Sequence, residues 1–367
     1  MKVRLGDYIE EYSVRNKKGE DIPVYSVTNT QGFCKDYFGK EVASKDKKTY
    51  KIVPRGCFAF NPSRINVGSV DWQRNEERVI VSPLYNVFSV SEQLDQQYLY
   101  YYLKSDFALQ RIRAVATGSV RDNLKLAMLY EFPIELPEIT EQRIIVDKLD
   151  RVKQIISLRE KEVQALDDLI KARFVEMFGD PVDNPIGWKT KTLQELVSDD
   201  CTISYGIVQT GDDQEEGIPV FRPVDIVNHI PVRTELKRTT EEISSRYKRT
   251  ILKGREMLIT VRANIADTCI VGEEFVGCNV GRGIVPIRTK EDEMVLEFLK
   301  YQIDSKHLND NIKALAKGIT LIQLNMEDLR EISLIVPPIE IQKVYVEFTK
   351  QVDKSKQARE YSGKLAA

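Results

Sequence analysis

One segment of the 367-residue chain occurs twice, once in the middle and once near the end. The first copy reads LPEITEQRIIVDKLDRV from residue 136, and the second reads VPPIEIQKVYVEFTKQV from residue 336. Gln142 corresponds to Gln342 and Val152 to Val352, each pair separated by 200 residues. A repeat of this kind indicates that the chain consists of two units built to one plan.

The first copy opens a long segment, 138–178, that contains neither glycine nor proline. Its apolar side chains recur at alternating steps of three and four residues, which predicts one helix with a coiled-coil seam. Pro137 precedes the helix and Gly179 ends it, as is usual at helix termini. At about 1.5 Å per residue, such a helix is roughly 60 Å long. The predicted seam comprises Ile145, Leu149, Val152, Ile156, Val163, Leu166, Ile170 and Met177.

The second copy opens a shorter helix, predicted over 338–360. Its seam consists of Ile341, Tyr345, Phe348 and Val352. A long helix with one narrow apolar stripe needs a partner, so we expect the two helices to form an antiparallel coiled coil. The tail, 362–367, resembles a remnant of an expression vector, so the second helix is either short by nature or truncated.

The similarity between the two halves extends upstream of the helices. The matching pairs are 98–107 with 298–307, Gly118 with Gly318, and 56–68 with 254–266, in which Arg64 and Asn66 correspond to Arg262 and Asn264. Runs such as ERVIVSP and REMLITV predict strands, and QQYLYYYLKSDFALQRI predicts a helix. We therefore predict two globular heads of α/β (mixed α+β) class with antiparallel, β-rich cores.

The repeat also predicts how the chain is divided. The expected boundaries are 1–137 for the first domain, 138–178 for the first spacer helix, 179–337 for the second domain and 338–367 for the second helix. Two similar units that pack through their helices form a pseudo-two-fold arrangement. We expect two heads held at a fixed distance by an antiparallel two-helix coil.

Composition excludes several classes of protein. Hydrophobic content of 42% with 30% charged residues is typical of a soluble globular chain. No apolar run approaches the roughly 18–20 residues of a membrane span, and the start has no signal core, so we expect a cytoplasmic protein. Five scattered cysteines and two histidines predict neither a disulfide framework nor a metal site. No cofactor is expected.

Together these features resemble the specificity (S) subunit of type I restriction-modification systems over nearly the whole chain. The resemblance rests on the twice-occurring (L/V)-P-x-I-x-x-Q motif, Phe-Gly-Asp-Pro at 178–181, Gly-Trp at 187–188, and the aligned Gly118 and Gly318. It implies that the heads are target recognition domains, each reading one half of a split, asymmetric site on double-stranded DNA. It also implies that the helices set the spacer and dock two methyltransferase subunits, that restriction subunits join the complex, and that this subunit performs no chemistry.

A net charge of −2 does not indicate a nucleic-acid partner, so any DNA-binding surface must be local. Arginine to guanine and asparagine to adenine are the commonest bidentate base contacts, but residues shared by both heads are better candidates for phosphate or scaffold roles. Ordinary surface solvation is the alternative for each basic run. The candidates are Lys47, Lys48, Lys51, Arg64, Asn66, Arg121, Lys125, Lys248, Arg249, Arg262, Asn264, Lys317 and Gln323.

Two other classes of function remain open. The first is an enzyme, a DNA methyltransferase or nuclease in its own right. Asn61-Pro62-Ser63-Arg64 is faintly similar to the Asn-Pro-Pro-aromatic motif of amino-methyltransferases, but it lacks the second proline and the aromatic ring. S-adenosylmethionine binding by the isolated protein would identify such an enzyme. The second is a coiled-coil adaptor with no role on DNA, which salt-sensitive, sequence-selective DNA binding would eliminate.

Overall fold

The computed structural model describes residues 2–35, 47–116, 123–226, 233–318 and 322–364. The chain divides into two compact units, unit 1 (Met1–Ile156) and unit 2 (Ser157–Ala367). The division falls inside one continuous helix, so each unit contains part of that helix.

Unit 1 consists of short strands followed by helices. Its strands are β1 (Lys2–Arg4), β2 (Ile9–Glu11), β3 (Ser26–Thr28), β4 (Gly32–Cys34), β5 (Lys51–Pro54), β6 (Phe58–Phe60), β7 (Val70–Trp72), β8 (Arg78–Val81), β9 (Asn86–Val90) and β10 (Pro133–Glu135). Its helices are α1 (Gln96–Lys104), α2 (Asp106–Val115), α3 (Leu126–Tyr130) and α4 (Ile139–Phe178), the last of which continues into unit 2.

The largest sheet of unit 1 has the strand order β2-β9-β6-β7 and is antiparallel throughout. β3 pairs with β4, β5 with β8, and β1 with β10, all antiparallel. Phe58 and Phe88 are fully buried on the largest sheet, and their stacked rings lie 5.1 Å apart between centroids. Leu99, Ile112 and Leu129 join the same core from α1, α2 and α3, so the helices cover this sheet.

Unit 2 repeats this mixture of short strands and helices. Its strands are β11 (Thr190–Thr192), β12 (Ile218–Phe221), β13 (Lys237–Thr239), β14 (Glu256–Thr260), β15 (Thr268–Val271), β16 (Asn279–Val280), β17 (Ile284–Ile287) and β18 (Ser333–Ile335). Its helices besides the end of α4 are α5 (Leu193–Leu196), α6 (Glu241–Ser245), α7 (Leu296–Asp304), α8 (Lys306–Ala314), α9 (Met326–Arg330) and α10 (Ile339–Lys364).

The sheets of unit 2 are β15-β14-β17, β13-β12-β16 and β11-β18. All pairings are antiparallel except β12 with β16, which are parallel and match Val220 with Asn279. β11 lies beside β18, just as β1 lies beside β10, so in each unit the first strand pairs with the strand that precedes a long helix. The predicted mixed α+β class is therefore confirmed for both units.

The repeated glutamine has the same role in both units. Gln142 is fully buried; its side-chain oxygen accepts the Asp95 N–H at 2.8 Å, and its amide donates to the carbonyls of Gln93 and Pro137, both at 2.9 Å. Gln342 is also fully buried. It accepts the Val295 N–H at 3.0 Å and donates to the carbonyls of Glu293 and Pro337 at 2.9 and 2.8 Å. The repeated (L/V)-P-x-I-x-x-Q motif is thus the point at which each helix is fixed to its own domain.

Both predicted long helices are present. α4 ends at Phe178 because Gly179 adopts a left-handed conformation, with φ of +73°, and its N–H is bonded to the Val175 carbonyl at 2.9 Å. α10 continues past residue 360, where the prediction placed its end, to Lys364. A single glycine such as Gly363 costs a helix only about 1 kcal/mol and does not stop it.

The helix predicted over 96–112 is in fact two helices in sequence. Ser105 has extended backbone angles, φ −68° and ψ 152°, which end α1 and begin α2. Its hydroxyl accepts the Ala108 N–H at 3.3 Å, which caps the second helix. Ser305 breaks the corresponding segment of unit 2 with φ −61° and ψ 137°. The apolar pattern crosses this break without interruption, so the pattern alone predicted one helix.

Within unit 2, the end of α4 packs against α10. The Tyr345 ring contacts Phe174 and Phe178 at 5.5 Å between centroids, and Lys356 pairs with Asp167 at 2.6 Å. Higher numbers on α10 therefore meet lower numbers on α4, so the two helices are antiparallel as predicted. The predicted seam residues of unit 2 that join its core, wholly or in part, are Leu166, Ile170, Met177, Ile341, Tyr345, Phe348 and Val352.

The covered stripe on α4 differs from the predicted heptad. Phe174 and Phe178 are more completely buried than any predicted seam residue of α4, because steps of four from Ile170 point into a globular core rather than along a coil. Toward the middle of α4, Leu149 and Ile156 remain 39% and 36% exposed, and Val163 is half-buried. Ile145 and Val152 are half-buried as well.

Candidate nucleic-acid interface

The strand β6 delivers Arg64 and Asn66 to the surface of unit 1. Directly after the buried strand, Asn61 accepts the Ser63 N–H on its side chain at 3.1 Å, which tightens the chain into a turn. A short 3-10 helix, Ile65–Val67, follows and ends at Gly68 with φ of +89°. Arg64 is exposed and Asn66 half-buried, so this turn presents the arginine to solvent.

The corresponding arginine of unit 2 has a different environment. Arg262 is half-buried and its guanidinium donates to the Gln323 side-chain oxygen, from Nε at 2.7 Å. The backbones of Lys317 and Gln323 exchange two hydrogen bonds of 3.0 Å, so three predicted candidates lie together. Burial and the nearby charge of Arg282 lower the pKa of Arg262, while Tyr205 opposes that shift.

The loop that carries Arg262 and Asn264 is strained. Ala263 and Ala266 have φ of +60° and +64°, a region that residues with a side chain rarely adopt. Asn264 is exposed, while the Thr260 hydroxyl donates to its carbonyl and fixes the loop from inside. Strain of this kind is commonly kept where a loop has a binding role.

The basic cluster of unit 1 is divided by the fold. Lys51 is only 9% exposed, and its ammonium donates to the Tyr85 carbonyl at 2.7 Å. Burial lowers its pKa, against the opposing charge of Glu11. This position gives Lys51 a structural role inside the domain. Of the other two predicted lysines, Lys48 is exposed and Lys47 half-buried, so both lie where DNA could reach them.

Lys248 and Arg249 are both exposed on a short 3-10 helix of unit 2, Lys248–Thr250. Behind that helix, the buried Asn279 side chain accepts the Thr250 hydroxyl at 2.7 Å and donates to the Ser244 hydroxyl at 2.9 Å. These buried bonds hold the two cations on a fixed piece of backbone.

Lys125 is exposed at the start of α3. The preceding segment is joined to the Arg64 turn, because Leu124 donates its N–H to the Pro62 carbonyl at 3.1 Å and the Ser63 hydroxyl donates to Asn123 at 2.7 Å. The structure thus brings Lys125 and Arg64 onto adjoining segments. Arg121 and Gly118 lie outside the described residues.

The sequence did not indicate two groups of cations that the structure reveals. Arg282 is exposed near Arg262, with its guanidinium 5.9 Å from the centre of the Tyr205 ring. In unit 1, Arg74, Lys104 and Lys153 surround the Tyr100 ring at 5.3, 5.6 and 5.8 Å. These three residues are far apart in the chain, which concealed the group from sequence reasoning. One signal was available in the alignment of the two halves, where Lys104 and Lys153 correspond to Asp304 and Asp353 at a separation of 200 residues.

One cluster in unit 2 has metal-ligand chemistry. His307 Nδ1 lies 3.1 Å from Asp180 Oδ1 and 4.0 Å from Asp183 Oδ2. The same Asp180 oxygen accepts the Val182 N–H at 2.8 Å, so it already caps its own turn. The geometry serves to hold the residues after α4 against the start of α8.

No helix in the described ranges is long and apolar enough to span a bilayer.

The family model for the type I restriction modification DNA specificity domain matches residues 3–167 and 185–362. The specificity subunit of the type I restriction enzyme EcoBI from Escherichia coli is 25% identical over 267 residues, 66% of this chain and 56% of the relative. A putative MjaX specificity subunit from Methanocaldococcus jannaschii is 22% identical over 272 residues, 71% of this chain and 62% of the relative. The chain therefore matches less than two thirds of the length of either relative.

Two solved structures share the fold. One, described as the complex assembly and conformational transition of the type I R-M system, has a TM-score of 0.63 at 19% identity, over 100% of this chain and 94% of that one. The S subunit of the type I system from M. genitalium has a TM-score of 0.51 at 13% identity, over 100% and 92%. At these identities the likeness concerns the fold.

Proposed function

The chain belongs to the type I restriction-modification DNA specificity family, and we propose that it recognises a bipartite, asymmetric DNA site and brings partner methyltransferase and restriction subunits to it. In this proposal the chain performs no chemistry and binds no cofactor. Each unit contains a target recognition domain, 1–137 in the first and 179–337 in the second, that reads one half of the site, and the partners modify or cut the DNA.

The observation that carries the proposal is a shared scaffold with unlike surfaces. Gln142 and Gln342 make the same three hydrogen bonds in their own units, so the anchoring of each helix is repeated closely. By contrast, Arg64 is exposed, whereas Arg262 is bonded to Gln323. Two recognition domains that share a scaffold but differ in their surface residues are suited to two half-sites of different sequence.

The proposal assigns α4 the role of spacer between the half-sites. The division between the units falls inside this helix, which has 40 residues and no break. A helix of that length spans about 60 Å. Along its middle part Ile155 and Leu158 are 50% and 56% exposed, which supports docking of the two proposed methyltransferase subunits there.

Mapping of methylated positions tests the proposal. The chain is expressed with the methyltransferase subunit of its own system in a host without that modification, and the genome is sequenced by a method that detects methylated bases. We expect a motif in two specific parts with an unspecified spacer. A continuous palindrome, or methylation that does not require this chain, would contradict the proposal.

A second measurement separates the proposal from an enzyme in its own right. Isothermal titration of the isolated chain with S-adenosylmethionine should show no binding, while the complex with the methyltransferase should bind it. Binding by the isolated chain would favour the enzyme. A complex that assembles but shows no sequence preference on DNA would favour the adaptor.

A further inference from the structure

A polar cavity of about 320 Å³ opens beside Tyr100 in unit 1. The turn between β3 and β4 forms one side of it, with Thr30, Gln31 and Gly32. Arg74, Gln97 and Lys153 form the others, from the segment after β7, from α1 and from α4. The cavity is therefore lined by hydrogen-bond donors from four separate segments of the chain.

The wall of this cavity is fixed by a buried carboxylate. Asp71 is 4% exposed and accepts the N–H groups of Phe33 at 3.1 Å and Trp72 at 2.8 Å. Gly32 has φ of +62°, and a Cβ there would meet the Asp71 carboxylate oxygen at 1.9 Å. The turn can approach Asp71 this closely only because residue 32 is glycine.

Positive charge exceeds negative charge around the cavity. Asp71 pairs with Arg74 at 3.0 Å, so this one carboxylate stands against three cations, Arg74, Lys104 and Lys153. Burial lowers the pKa of Lys104, and Lys153 lowers it further while Asp71 opposes both. Within the described residues, Lys153 forms no ion pair, and its ammonium rests over the Tyr100 ring at 5.8 Å.

The corresponding positions of unit 2 carry the opposite charge. At the separation of 200 residues that relates the halves, Lys104 corresponds to Asp304 and Lys153 to Asp353. Asp304 pairs with Lys300, and Asp353 lies 3.4 Å from Lys356, so these carboxylates are compensated locally. The excess of cations is therefore a property of unit 1 rather than of the repeated scaffold.

Lys104 connects the cavity to the candidate DNA-binding turn. Its ammonium donates to the Asn29 carbonyl at 3.0 Å and to the Gly68 carbonyl. Asn29 precedes the turn that lines the cavity, and Gly68 ends the short helix that follows Arg64. A group bound in the cavity would thus lie beside the segment that presents Arg64 and Asn66.

We propose that the cavity formed by Arg74, Lys153, Gln97 and the 30–32 turn binds one phosphate group of the DNA backbone next to the half-site read by unit 1. A planar guanidinium, an ammonium and side-chain amides are the donors that phosphate oxygens accept. This inference rests on the proposed function. It makes phosphate anchoring asymmetric, since unit 2 has carboxylates at the matching positions.

The test uses the full chain in complex with its methyltransferase and a fluorescent duplex that contains the mapped site. Affinity is measured by anisotropy from about 50 to 300 mM salt. We expect Lys153→Gln to weaken binding by roughly five- to tenfold near 100 mM salt and to reduce the slope of log K against log salt by about one. Lys153→Arg should restore both the affinity and the salt slope. Lys153→Asp, which introduces the residue type found at the corresponding position of unit 2, should weaken binding more than Lys153→Gln.

Lys148→Gln is the matched control for Lys153→Gln, since Lys148 is an exposed lysine that also lies on α4 but does not line the cavity. An equal loss in this variant would show a general charge effect and overturn the site. A parallel thermal-shift titration with inorganic phosphate shows whether the cavity binds a free phosphate ion rather than a phosphate group of DNA. Stabilisation by phosphate that requires Lys153, with an unchanged DNA slope, would indicate a free phosphate ligand and contradict the proposal.

Three further outcomes also count against it. If Lys153→Gln reduces co-purification of the methyltransferase but leaves the salt slope unchanged, the cavity holds an acidic side chain of the partner. If the wild-type complex binds no duplex selectively, the proposed function itself fails. Normal wild-type binding with an unaltered Lys153→Gln variant overturns the phosphate site alone.

Discussion

The Tyr345 hydroxyl donates a hydrogen bond to the backbone carbonyl of Ile170 at 3.1 Å, which joins α10 to α4 inside the core of unit 2. Tyr345 is fully buried among Phe174, Phe178 and Phe298, and burial raises its pKa well above the usual range. The contact between the two helices is therefore an aromatic core with a buried hydrogen bond, together with the Lys356–Asp167 ion pair, rather than a regular coiled-coil seam.

We expect Tyr345→Phe to lower the free energy of unfolding by about 1 kcal/mol, because it removes one buried hydrogen bond and keeps the ring. Tyr345→Ala should cost about 3 to 5 kcal/mol, since it also removes the ring from the core. Urea denaturation followed by circular dichroism measures both. Tyr205→Phe, at an exposed tyrosine of unit 2, is the control, and an equal effect there would argue against the bond.

The two repeated glutamines give a second prediction. Gln142→Leu and Gln342→Leu keep the side-chain size but leave one N–H and two carbonyls in each unit without their partner. Each variant should lose about 2 to 4 kcal/mol of stability. Gln351→Leu, at an exposed position on α10, should stay within about 0.5 kcal/mol. Tolerance of either buried variant would contradict the anchoring role.

The end of α4 supplies a third prediction, with a matched control in the same unit. A Cβ on Gly179 would lie 2.6 Å from the Pro185 ring, whereas one on Gly187 would meet nothing within 4 Å. Both glycines have left-handed φ, +73° and +78°. Gly187→Ala should therefore cost about 1 kcal/mol from the backbone alone, and Gly179→Ala about 1 to 3 kcal/mol more. Equal losses in thermal unfolding would show that the clash has no effect.

The sequence predicted the elements whose signals are local. The absence of glycine and proline from 138–178, with Gly179 after it, was enough to bound α4, and the repeat was enough to predict two similar units. The break at Ser105 was missed because a serine hydroxyl that caps a helix looks the same in sequence as one within a helix. Phe174 was missed because the heptad was extended into a region where the helix packs on a globular core.

The candidate site was less predictable, because it depends on which way side chains point. Lys51 counted as a surface cation in the sequence, yet the fold turns it inward to the Tyr85 carbonyl. Lys153 and Arg74 are far apart in the chain and meet only around Tyr100. A run of charged residues is visible in the sequence because its members are neighbours in the chain. A binding surface combines residues that are distant in the chain, so sequence analysis identified the runs but not the cavity.

The pH dependence of stability provides a fourth prediction. Lys253 donates to one oxygen of Asp200 at 2.7 Å and the Ser198 hydroxyl donates to the other at 2.9 Å, which lowers the pKa of Asp200 to about 2. Its unfolded value is about 3.9, so this stabilisation is present above about pH 4 and is lost as the pH falls through about 2. Asp200→Asn should be less stable than the wild type at pH 6, and this difference should shrink as the pH falls from about 4 through about 2. A difference that does not change with pH would contradict the ion pair.

The two aligned arginines should respond differently to removal. Arg64 is exposed, so Arg64→Ala should leave unfolding stability within about 0.5 kcal/mol and weaken DNA binding by the complex. Arg262 donates to Gln323, so Arg262→Ala should lose about 1 kcal/mol of stability as well as affinity. Chemical denaturation and anisotropy titration measure the two quantities separately, with Arg151→Ala on α4 as an exposed control for Arg64.

The methylated motif then distinguishes the kind of contact that Arg64 makes. If Arg64 binds a phosphate, the variant complex should modify the same motif at lower occupancy, and the salt slope should fall by about one. If Arg64 reads a base, one position of the half-site should become degenerate, with a loss of about 1 to 3 kcal/mol of discrimination. Because the arginine recurs in both units while the half-sites are proposed to differ, we expect the unchanged motif. A relaxed position in the half-site read by unit 1 would contradict that expectation and make Arg64 a specificity residue.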